Sequence, residues 1–138
     1  MNFERKIVIT LAAHETALQQ IKAQTTEIGV HINLCENGYD KIGPNGIEEH
    51  SKDLSDEKGN RKTHIWEAFQ HREASSCGYG MVGLHVEEIA DFLADEGCIH
   101  CIRAWNIILE RKKVKQELRG FRLSLRALGK SAIKALMP

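Results

Sequence analysis

Along the first 35 residues, Ile7, Leu11, His14, Leu18, Ile21, Thr25, Ile28, Ile32 and Cys35 recur at alternating intervals of four and three. This is the heptad interval of a helix that buries one stripe, and Glu15, Gln19, Gln20, Lys22 and Gln24 fill the positions between. It predicts a long helix over 1–35. Gly29 is its weak point, since a stop there would leave Val30, Ile32 and Leu34 to alternate as a short strand. The interval returns near the end of the chain. Val114, Leu118, Phe121, Leu125, Leu128, Ala132 and Ala135 predict a second long helix over 102–138. Gly120 and Gly129 weaken it by up to about 1 kcal/mol each relative to alanine.

Between these helices the periodicity lapses. Residues 36–62 are polar and carry Asn37-Gly38, Pro44-Asn45-Gly46 and Gly59-Asn60, so they read as an extended loop, a length at which loops are often functional. In 63–101, Thr63 caps a short helix from His64 to Ala74, and Ser75 to Gly83 is a glycine-rich connector. A third helix, Val86 to Asp95, gathers Val86, Ile89, Phe92 and Leu93 on one face before Gly97 ends it. The predicted fold is mainly α, a single domain over 1–138. Its N- and C-terminal helices pack as a long antiparallel hairpin around an irregular middle.

Composition agrees. A chain of 138 residues is one domain of ordinary size, and 6% aromatics with two prolines favour helices over sandwiches and barrels. No apolar run approaches the roughly 18 residues of a membrane span, so no membrane is expected as a partner. The apolar stretch Ile7 to Ala13 is interrupted by Thr10 and preceded by Glu4, so it reads as helix rather than as a cleaved leader. The expected location is the cytoplasm, where the four cysteines would be reduced and available to a metal.

Cys98-Ile99-His100-Cys101 is a C-x-x-C directly before the last helix. That spacing lets two sulfurs meet one ion, and the helix N-terminus favours thiolate. Zinc takes four such ligands in a tetrahedron. If the long helices are antiparallel, Cys35 comes beside Cys98 and Cys101, and Cys77 arrives from the connector. A structural zinc held by Cys35, Cys77, Cys98 and Cys101 is the expected centre, with His31, His64, His71, His85 or His100 as candidates to replace one cysteine. Haem attachment fails because Ile102, not histidine, follows the second cysteine. A thioredoxin-like site would need a strand before the motif and a cis-proline opposite it. His85-Val86-Glu87 followed by Cys98 and Cys101 resembles the H-x-E…P-C-x-x-C signature of zinc nucleoside deaminases. That likeness implies His85, Cys98 and Cys101 as ligands and Glu87 as acid/base. Gly97 stands where that signature has proline, and the ten residues from Glu88 to Gly97 leave no room for the strand of that fold. His14, on the heptad stripe, is the type of polar residue that fixes register or oligomeric state. Gly78 to Gly83 lacks the lysine and hydroxyl ending of a phosphate loop, and no G-x-S-x-G occurs.

Nineteen basic and nineteen acidic side chains cancel, which on its face excludes a plainly basic nucleic-acid binder. The distribution withdraws that exclusion. Residues 102–138 hold ten basic and two acidic side chains, a net +8, and residues 1–101 a net −8. Arg111, Lys112, Lys115, Arg119, Arg122, Arg126 and Lys130 can line one side of the last helix, as a solvated face or as a surface for phosphates or an acidic protein. Aromatic residues do not interleave them, so base stacking is not expected.

The tail, Gly97 to Trp105 with Leu109 to Lys113, Leu118-Arg-Gly120 and Leu128-Gly-Lys130, resembles small uncharacterised accessory proteins of tailed phages and prophages of Gram-negative bacteria. The resemblance covers the last third of the chain and implies a setting rather than a chemistry. The expected function is therefore non-catalytic: a zinc-stabilised protein, able to form a homo-oligomer through its heptad helices, binding nucleic acid or an acidic surface through a basic C-terminal helix. The alternatives are an inhibitor or adaptor seated on an acidic host protein and, as a minority case, a zinc deaminase.

Overall fold

The computed structural model describes residues 2–70, 72–74 and 81–137. Helix α1 spans Phe3–Asn33. Asn2 starts it, its side-chain oxygen accepting the Arg5 N–H at 2.8 Å, which satisfies one of the free donors of the first turn. Gly29 does not stop it. Ile28, 6% exposed, and half-buried Ile32 anchor the turns on either side, so tertiary packing outweighs the glycine's entropy cost. Two turn hydrogen bonds, from Leu34 to His31 and from Cys35 to Ile32, then bring the helix to its end.

Residues 36–62, expected as an extended loop, contain structure. Strands β1 (Tyr39–Ile42) and β2 (Glu48–Ser51) form an antiparallel hairpin with Tyr39 opposite Ser51 and Ile42 opposite Glu48. Pro44-Asn45-Gly46 is its turn, closed by hydrogen bonds between Gly43 and Ile47 and from Gly46 to Gly43. Gly38 is fixed by close approach: a Cβ there would lie 1.9 Å from the Ser51 carbonyl oxygen. A bridge between Ser55 and Arg61 tightens the remainder.

Helix α2 runs His64–Gln70, with Thr63 as N-cap accepting the Trp66 N–H at 3.1 Å. It is shorter than the helix predicted to Ala74, because Arg72–Ala74 (β3) leaves the helix to pair antiparallel with Met81–Gly83 (β4). Helix α3 spans Val86–Glu96 and ends on Gly97. Gly97 adopts φ 69°, and its N–H donates to the Leu93 and Ala94 carbonyls, reversing the chain within one residue. Helix α4 then runs Ile99–Leu136. The mainly helical architecture with long terminal helices is as expected.

The chain forms two compact units, residues 1–27 with 107–138 and residues 28–106. In the first, Ala17, Val114 and Leu118 are the buried centre, with Leu18, Ile21 and Phe121 packed against them. Arg111 reaches Thr25 at 3.1 Å, and Lys6, Ile9 and Thr10 lie beside Ser124, Ala127 and Leu128. Low numbers on α1 therefore meet high numbers on α4, and the helices are antiparallel. The seam is rotated from the predicted stripe. Leu11, at 51%, and Thr25 are exposed, while Ala17 and Gln24 are buried.

In the second unit, Ile65 and Ala68 of α2, Ile89 and Leu93 of α3, and Cys101, Ala104 and Trp105 of α4 are all buried. Phe69 meets Trp105 edge to face at 5.7 Å. No helix among the described residues is long and apolar enough to cross a membrane.

Candidate metal centre

Three chain reversals converge in the second unit. Cys35 lies just beyond the end of α1. His64 is the first residue of α2. Cys98 follows Gly97 and opens α4, its sulfur accepting the Cys101 N–H at 3.4 Å, and the Ile102 N–H bonds to its carbonyl. Cys98 and Cys101 thus stand at the positive end of a 38-residue helix, where thiolate is favoured.

Arg61 holds the first of these reversals. Its guanidinium donates to the carbonyls of Ile32, Cys35, Asn37 and Lys52, placing a cation at the C-terminal end of α1. Asn37 adds hydrogen bonds to the Lys62 carbonyl and to the Glu67 carboxylate.

The ligand atoms of Cys35, His64, Cys98 and Cys101 lie within 4.8 Å of one another. The Cys35 sulfur is 3.1 Å from His64 Nδ1 and 3.8 Å from the Cys98 sulfur. In a tetrahedron with zinc–sulfur bonds of about 2.3 Å, sulfurs stand about 3.8 Å apart, so the spacing fits that ion. Cys35 and Cys101 are 0% exposed. Four protein ligands would fill a zinc tetrahedron, which is the pattern of structural sites.

The Cys35 and Cys101 thiols are electrostatically linked. The Cys101 thiol donates to Cys35 and, with the Asn37 and His64 N–H groups and the His64 charge, lowers Cys35 to about 4 against the penalty of burial. The same hydrogen bond, then burial and Cys98, push Cys101 upward. Buried thiols this close cannot ionise together unless a cation joins them.

Of the expected ligands, Cys35, Cys98 and Cys101 converge, joined by His64, one of the five histidines left open by the sequence. Cys77 and His71 lie outside the described residues. His85 is not in the cluster: its side chain is 79% exposed and faces Glu88 at 3.9 Å, so the ligand set implied by the deaminase likeness does not assemble among the described residues. Arg61 carries no signal in the sequence that marks it for this site, and the Glu96 carboxylate, 3.7 Å from His64 Nε2, carries little. The only hint of the latter is its place directly before Gly97-Cys98.

On α4, Lys112, Lys115, Arg119, Arg122, Arg126 and Lys130 are exposed. At 100° per residue they fall within an arc of about 80°, away from Val114 and Leu118, over a length of about 27 Å. None of the six forms an ion pair with a described residue. Arg111 flanks this arc toward the seam, where Thr25 takes it up.

Compared with known proteins, the chain matches no family model, no curated protein and no solved structure.

Proposed function

We propose that this is a non-catalytic binding protein, built on a structural zinc ion and contacting nucleic acid through the phosphate backbone. Cys35, His64, Cys98 and Cys101 would hold the ion, which would fasten the end of α1, the start of α2 and the start of α4 within their unit. The observation that carries the binding role is the stripe on α4: six cations in one arc, exposed, with no acidic partner among the described residues. A stripe of about 27 Å matches roughly eight base pairs at 3.4 Å each, enough for several phosphate contacts on one side of a duplex. Without interleaved aromatics it would grip the backbone and discriminate weakly between sequences. The phage setting suggested by the tail suits a small DNA- or RNA-associated accessory protein of this kind.

Fluorescence anisotropy with short duplexes of unrelated sequence, across a salt series, tests the reading. Affinity should fall steeply with salt and vary little with sequence. Replacing Lys115, Arg119 and Arg122 together by glutamine should flatten the slope by about 0.9 per phosphate contact removed. No duplex binding at low salt, with capture of a single acidic host protein instead, would transfer the same stripe to an inhibitor or adaptor role.

A further inference from the structure

Each ring nitrogen of His64 faces a side chain of the second unit. Nδ1 faces Cys35 at 3.1 Å, and Nε2, on the other side of the ring, faces the Glu96 carboxylate at 3.7 Å. The ring is largely enclosed, with 15% of the side chain exposed, so few other partners can reach Nε2. Glu36 also lines the recess beside the cluster, but its carboxylate is occupied by Lys52 at 3.3 Å. Glu96 is therefore the carboxylate left for the ring.

Its place in the chain is costly. Glu96 is the last residue of α3, and no basic residue stands in that turn. A carboxylate there opposes the helix dipole, which favours cations at that end. Local rules are broken in this way most often where a side chain has another task. The turn at Gly97 that delivers Cys98 to the cluster is also the turn that delivers Glu96 to the ring.

We infer that Glu96 is the positioning residue of the metal centre: from 3.7 Å a shift of a few tenths of an ångström lets it accept the His64 Nε2–H and so fix the tautomer that presents Nδ1 to the ion. The inference rests on the proposed zinc site and adds a role for a residue that does not touch the metal. A carboxylate in this place orients the imidazole and raises its basicity, and losing such a partner typically weakens metal binding 10- to 100-fold. Asp95, one residue earlier on the same turn, carries the same charge and is exposed, so it serves as the control.

Zinc affinity measured by competition with a chromophoric chelator, together with nitrogen-15 NMR of the His64 ring, tests this on the full chain. Wild type should show a metal-bound Nδ1 and a slowly exchanging proton on Nε2. Glu96→Ala should bind zinc at least 10-fold more weakly and lose that slow exchange, Glu96→Gln should recover much of both, and Asp95→Ala should match wild type. Equal affinity and an unchanged ring spectrum in Glu96→Ala, or a metal-bound Nε2 in wild type, overturns the assignment alone. A wild-type chain that takes up no zinc overturns both the assignment and the site beneath it.

Discussion

His50 shows how one side chain can pin a short hairpin that has no core of its own. Its Nδ1 meets Asp40 across the strand pair at 2.9 Å, and its Nε2 meets the Glu36 carbonyl. The Asp40 hydrogen bond first, and the Glu36 carbonyl second, favour the imidazolium and raise its pKa above the ordinary histidine value. A raised folded-state value means the stabilisation is complete below the ordinary value and is lost as pH rises through the raised one. Amide exchange across β1 and β2 should therefore quicken as the His50 ring signals titrate, and His50→Gln should remove that dependence. Protection that stays constant through the titration would contradict the account. Contacts of this kind are not legible in a sequence. The C-x-x-C spacing announces Cys98 and Cys101, and the antiparallel expectation brings Cys35 to them. Arg61 and Glu96 are ordinary polar residues in sequence and acquire roles only when distant carbonyls and a distant ring reach them. His64 stands among five candidate histidines because nothing local distinguishes it; the Thr63 cap that starts α2 is what aims it.

Among the elements, the long helices are the most legible, because an apolar stripe repeated over four or more heptads is the mark of a helix with one buried face. The seam itself lies one step from the predicted stripe. Counting apolar residues favours Leu11 over Ala17, but Ala17 is the buried one, with Leu18 packed beside it, and exposed Thr25 bonds Arg111. The β1–β2 hairpin leaves no trace in the pattern because all four residues of β1 and three of β2 are exposed, which removes the alternation by which strands are recognised. With so few buried residues in the α1–α4 seam, each should matter. Leu118→Ala should lower unfolding free energy by about 2–4 kcal/mol in urea denaturation followed by circular dichroism. Leu123→Ala, on an exposed part of the same helix, should cost under about 0.5 kcal/mol. Equal effects at the two positions would mean that the seam is not where the helices meet.

For the whole molecule, zero net charge conceals an uneven distribution: the first 101 residues carry a net −8 and the last 37 a net +8. The four candidate ligands fall within residues 28–106 and the basic stripe within the other unit, so the proposed metal and phosphate contacts can be tested by separate mutations. The second unit also shows why so small a chain would need an ion. Its described buried residues are few and lie mostly on two short helices and the ends of two long ones, so an ion tying the three reversals would reinforce a small core. The most direct measurement is the metal content of protein purified without added zinc, by elemental analysis and native mass spectrometry, for wild type, Cys98→Ser, His64→Ala and Cys77→Ser. The account predicts one zinc per chain in wild type and in Cys77→Ser, and loss of zinc with loss of cooperative unfolding in Cys98→Ser and His64→Ala. A folded, metal-free wild type would contradict it, as would zinc that survives in His64→Ala and disappears in Cys77→Ser.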